Sequence, residues 1–156
     1  MGFDLSGMNP NITRPQPELP ESWNPKEWSD KDKKMHVDYK EWQDDNCGVY
    51  FRNNVWSWRP LWDFVSSVCE SILTRKDIES GSYNDGHAIS KTKANRIARR
   101  LFKLIRNGDV KDYESSYRKY QDSLNADDWD NSYPFSEDNV RRFANFCLNS
   151  GGFTIC

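Results

Sequence analysis

The run Tyr50-Phe51-Arg52-Asn53-Asn54-Val55-Trp56-Ser57-Trp58-Arg59-Pro60-Leu61-Trp62 crowds three Trp, two Arg and two Asn together just ahead of a helix start. Rings of this size belong against a core, where each removes roughly 150 to 250 Å² from water. The Arg and Asn beside them pull the other way, because a buried polar group without a partner costs about 1 to 3 kcal/mol. These side chains must therefore meet carbonyls, each other, water or a ligand. No other stretch combines those demands, so it is the first place to look for a site.

The chain has 156 residues, enough for one domain that buries roughly 70% of its unfolded surface and too few for two ordinary ones. Only 36% of its residues are hydrophobic, yet 14% are aromatic, so a few large side chains must build the core and disorder is expected only at the ends. A formal net charge of −2 gives no global field that would draw the chain onto nucleic acid or an anionic membrane. Any such binding has to be local. Cys47, Cys69, Cys147 and Cys156 form no C-x-x-C pair and no zinc spacing, which points to reduced thiols and a cytoplasmic setting. No run approaches the ~18 apolar residues of a membrane helix, and the start has no basic region followed by an apolar one.

Five of the seven prolines lie in residues 1–27, which reads as an extended or turning arm anchored by Phe3, Leu5, Met8 and Trp23. The helical body is expected over 28–156. Ser29 caps a charged helix with Met35, Tyr39 and Trp42 along one stripe and a stop at Gly48. Pro60 suits the first turn of a core helix whose Leu61, Val65, Val68, Cys69, Ile72 and Leu73 share a face. Thr74 to Glu79 reads as a short separate helix before the turn-forming Ser80 to Gly86. Ser90 caps a helix with Ala94, Ile97, Ala98, Leu101, Leu104 and Ile105 inward and a stop at Asn107-Gly108. A helix from Asp109 to about Leu124 carries Tyr113, Tyr117 and Tyr120, and a last one opens at Ser136 and ends at Gly151-Gly152. Phe153 to Cys156 is left as a short extended tail. The expected fold is all-α, a single domain over 1–156 of three to five helices under an irregular Pro- and Trp-rich N-terminal segment.

Four segments carry a family resemblance: Met1-Gly2-Phe3-Asp4-Leu5-Ser6-Gly7-Met8-Asn9-Pro10, the Phe51 to Trp62 run, Tyr83-Asn84-Asp85-Gly86-His87-Ala88-Ile89-Ser90, and Ser150-Gly151-Gly152-Phe153. In these the chain resembles a family of small bacteriophage and bacterial proteins with no assigned activity. Some members of that family carry a Cys- and Gly-rich insertion about where Asn125 to Phe135 lie. This chain lacks it, so the resemblance implies no zinc, and it supplies an origin rather than a reaction. A phage-encoded chain would work in the host cytoplasm.

The candidate ligand-binding residues are Arg52, Asn53, Trp56, Trp58, Arg59, Asn84, Asp85 and His87. The Arg forks suit phosphate or carboxylate, the Asn amides read polar edges, and a Trp face stacks on a planar ligand. The competing reading has the Arg stacked on Trp and Asn84-Asp85-Gly86 acting only as a turn. Asp85 and His87 are the sole candidates for acid–base catalysis, with no phosphate loop or nucleophile elbow in the sequence. The two histidines have no metal-ligand spacing, so no metal and no cofactor is expected. From Ala88 to Gly108 there are seven bases and no acid. Of these, Lys93, Arg96, Arg99, Arg100, Lys103 and Arg106 fall away from the apolar stripe as a candidate nucleic-acid surface.

These residues favour a non-enzymatic accessory protein that binds a small polar or anionic ligand, such as a nucleotide signal, in an Arg/Asn/Trp-lined cleft. Two alternatives stay open: an interaction protein that grips a host protein or nucleic acid through the basic helix, and a small hydrolase using Asp85 and His87. Exposed aromatics on the arm also leave homo-oligomer formation open.

Overall fold

Phe3 and Leu5, Phe51 and Asn53, and Phe153 and Ile155 each repeat with the period of two that marks a strand with one buried face. The computed structural model describes residues 2–156, so Met1 of the opening motif lies outside the described residues. In it the three segments become β1 (Gly2–Gly7), β2 (Tyr50–Asn54) and β4 (Gly152–Ile155), joined by β3 (His87–Ser90) in one antiparallel sheet of order β2-β1-β4-β3. The all-α expectation is therefore corrected: among the described residues four strands accompany six α-helices. The start of the N-terminal arm (Gly2–Gly7) and the C-terminal tail form the two central strands. Leu5 lies between Phe51 on one side and Ile155 on the other, a pairing that only distant parts of the chain can make.

Against the inner face of this sheet pack α2 (Val55–Val68), α4 (Lys91–Asn107) and α6 (Glu137–Asn149). Their buried faces carry Trp58, Leu61 and Val65, then Ala94, Ile97 and Leu101, then Val140, Phe143 and Cys147. The helix α1 (Asp30–Asp45) sits outside this layer, with Ser29 and Asp32 forming a capping box at its start. Trp42 is its one buried residue, and the ring Nε1–H donates to the Arg14 carbonyl at 2.8 Å, which ties down the proline-rich arm. The short α3 (Arg75–Ser80) begins at a second capping box, Thr74 with Asp77. Gly108, at φ +84°, ends α4 in the left-handed conformation and leads straight into α5 (Asp109–Asp122).

The core helix α2 starts at Val55, one turn and more before Pro60, because Asn54 caps it by accepting from the Ser57 N–H at 2.8 Å. Pro60 thus stands inside the helix, where it leaves the Trp56 carbonyl without its usual donor. The Trp-rich run is consequently an edge strand followed at once by a helix, where an irregular segment was expected.

Candidate functional site

Alternation along β2 separates the first two candidate residues, since neighbours on a strand face opposite ways. Asn53 points inward and is buried, its amide donating to the Asn139 side chain at 3.1 Å. Arg52 faces solvent on the outer side of the sheet, opposite Asp4, with Nε 3.5 Å from the Asp4 carboxylate. Helical rotation separates the next two. Trp58 is 1% exposed, stacked between Phe3 and Trp62, and donates from Nε1 to the Gly81 carbonyl at 2.7 Å. Trp56 turns outward instead, against Tyr133 and Trp129. Arg59 follows it there: its guanidinium lies 5.8 Å from the Tyr133 ring centre and bonds the Tyr133 hydroxyl at 3.1 Å.

The turn after α3 supplies the remaining three. Asn84 donates to the Gly2 carbonyl at 2.9 Å, and Asp85 accepts the His87 backbone N–H at 3.1 Å. Asp85 thus makes a local turn bond, while the His87 ring goes elsewhere. On β3 His87 stands opposite Ile155, so it shares the inner face at the sheet edge, and its Nε2 meets the Asp77 carboxylate at 2.8 Å. Lys93 takes the other Asp77 oxygen at 2.5 Å and the Thr74 N–H also donates to it. Asp77 is buried, and burial by itself would raise its pKa. The hydrogen bonds from Lys93, His87 and Thr74 outweigh that and hold the carboxyl well below its ordinary range. Asp77 therefore clasps α3, β3 and the start of α4 together. The T-x-x-D spacing at Thr74 marks its cap role, but nothing local in the sequence joins it to His87 or Lys93.

The eight candidate residues do not line one cavity. Arg59 borders a hollow of about 270 Å³ with Asp63, Tyr113, Tyr117, Asp130 and Tyr133. Its aromatic walls surround two carboxylates and one guanidinium, and burial raises the Asp63 pKa despite Arg59 nearby. Arg52 borders a second cleft, of about 360 Å³, at the open edge of β2 between α1 and α6. Here Lys40 and Gln43 come from α1, Arg52 from β2, and Arg142 and Asn145 from α6. Asp44 is the one carboxylate in the lining. Among the described residues neither Lys40 nor Arg142 has a carboxylate within 4.0 Å. The Arg142 guanidinium lies over the Phe51 ring at 5.5 Å.

Two neutral hydrogen-bonding groups complete that edge. Tyr50 donates its hydroxyl to Asp4, and burial together with the Asp4 carboxylate pushes its pKa up to about 12. The Cys47 thiol is also pushed up by burial, so no thiolate charge opposes an anion there. Lys40, Arg142, Gln43 and Asn145 escape sequence reasoning because they lie on two charged helix faces a hundred positions apart, where each residue looks like ordinary solvated surface. Among the described residues, no group of His, Cys, Asp and Glu side chains is placed to hold a metal ion, and no helix is long and apolar enough to cross a membrane. No protein-family model matches the chain, and comparisons with curated proteins and with solved structures likewise give no match.

Proposed function

We propose that this chain is a binding protein for a small phosphate-bearing molecule, such as a mononucleotide, held at the open edge of β2. The observation that carries the reading is the convergence of Lys40, Arg52 and Arg142 from three separate elements on one cleft, two of them without an internal carboxylate partner. Bringing like charges together raises the energy of the empty protein, and an anion would relieve it. Guanidinium forks match phosphate geometry, and the Gln43 and Asn145 amides offer donors and acceptors for the rest of the ligand. A volume of about 360 Å³ lies within the roughly 300 to 1,000 Å³ usual for small-molecule sites. As an edge strand, β2 also presents backbone groups that the sheet leaves unpaired. A cytoplasmic setting and a phage-like accessory role, in which the protein sequesters a host signalling molecule, complete the proposal.

Thermal melting with adenosine 5′-monophosphate, guanosine 5′-monophosphate and pyrophosphate tests it. A ligand at 100 times its Kd stabilises by ~2.7 kcal/mol, which for a chain of this size raises Tm by roughly 5 to 11 °C. R142Q and K40Q remove charges without breaking an internal ion pair, so each should melt close to the wild type alone and lose most of the ligand-induced rise. Equal rises in the wild type and both variants, or no rise with any of the three compounds, would refute the site.

A further inference from the structure

We propose that the exposed face of α4 is a second, separate anion surface that binds the phosphate backbone of nucleic acid. Its carriers are Arg96, Arg99, Arg100, Lys103 and Arg106, all exposed. Four of the eight ion pairs among the described residues are local: Lys33 pairs with Asp30, Arg75 with Glu79, Arg118 with Glu114 and Arg141 with Glu137. By contrast, among the described residues none of the five α4 cations has a carboxylate within 4.0 Å. Lys93, on the same helix, is withdrawn from the face by its bond to Asp77. The chain carries a net charge of −2, so this concentration of positive charge on one helix is not a reflection of overall composition.

The shape of the face narrows the partner. Arg96, Arg99, Arg100 and Lys103 surround a shallow concavity of about 240 Å³ floored by Ile72, with no carboxylate in its lining. At 1.5 Å per residue the cations from Arg96 to Arg106 extend over ~15 Å, along which a duplex displays roughly nine phosphates. A small anion would meet one or two of the five groups, whereas a polyanion of regular spacing engages the row. Four of the five are Arg, whose planar forks bind phosphate in pairs of hydrogen bonds. The helix bears no large exposed apolar side chain between Tyr83 and Tyr113, so it lacks the anchor that a lipid surface or a protein groove would require. The major groove, ~12 Å wide, admits a single helix. Asn107, the last residue of α4, is the one exposed amide on the helix, so contacts go chiefly to the backbone and binding should depend little on base sequence.

Fluorescence anisotropy with a labelled 20-base-pair DNA duplex tests this, using the full chain at 50 and 200 mM salt. With four or five phosphates contacted, affinity should fall roughly 150- to 500-fold between the two salts. R96E/R99E/K103E should abolish binding while its melting temperature stays near the wild type, because none of the three is paired in the fold. The neutralising variant R96Q/R99Q/K103Q should bind weakly, with a flatter salt dependence, and covers the case in which the reversed charges disturb folding. R142Q should bind DNA like the wild type, which separates this surface from the cleft at β2. The proposal fails if the wild type does not bind at 50 mM salt, if either triple variant binds as tightly as the wild type, or if phosphatidylserine vesicles are bound and the duplex is not.

Discussion

Trp58→Ala should destabilise the protein by about 3 to 5 kcal/mol, the range seen for deleting large buried aromatics. Trp58 joins the sheet to two helices: Phe3 of β1 stacks on one face, Trp62 on the other, and Phe143 of α6 meets its edge. Its Nε1–H also satisfies the Gly81 carbonyl. Truncation opens a cavity and removes the donor from a buried acceptor, two costs that add. Against a total stability of ~5 to 15 kcal/mol, the variant should unfold cooperatively at a Tm lower by roughly 6 to 20 °C. Trp58→Phe should recover much of this, since it keeps a ring between Phe3 and Trp62 and forfeits chiefly the hydrogen bond. Urea denaturation of the two variants checks the order, and a W58A protein as stable as W58F would show that the stack is not what joins sheet to helices.

Asp77→Ala should cost about 3 kcal/mol at neutral pH, because it strips one carboxylate from Lys93, His87 and the Thr74 cap together. The pH dependence follows from the sign of its shift. Asp77 is held below its ordinary value in the folded chain, so its contribution is complete above an unfolded pKa of ~3.9 and is lost as the pH falls below it. The gap in Tm between wild type and D77N should therefore be widest near neutrality and should narrow as the pH drops from about 4 towards 2. A gap that stays constant across that range would mean that the Asp77 charge does not hold α3, β3 and α4 together.

Helices announced themselves in this sequence because their signals are local. Ser29, Ser90 and Ser136 each accept from a backbone N–H three residues on, as their place before charged or amphipathic runs implied. The sheet did not, for an equally physical reason. Each strand has only four to six residues, and its partners lie in remote segments, so no window of sequence holds both halves of a ladder. The alternation of Phe3 with Leu5 and of Phe153 with Ile155 was present, but two apolar residues in an arm or a tail look like anchors until the pairing is seen. The same limit governs the candidate site. Arg52 and Asn53 look like one polar cluster in sequence, yet the strand puts them on opposite faces. Lys40 and Arg142 look unrelated, yet the fold sets them at one cleft. His87 was visible as a titratable residue in a turn, with Asp85 as its apparent partner, and the chain reversal through α3 brings Asp77 to the ring.

The most direct test of the proposed anion site is a titration of ¹⁵N-labelled protein with adenosine 5′-monophosphate, followed by amide chemical shifts. Saturable shifts should concentrate at Lys40, Gln43, Cys47, Phe51, Arg52, Arg142 and Asn145, and R142Q should abolish them while leaving the rest of the spectrum in place. Saturable shifts confined to α4 or to the Tyr113 and Tyr133 hollow, or unsaturable drift across the whole surface, would contradict the assignment of the cleft at β2.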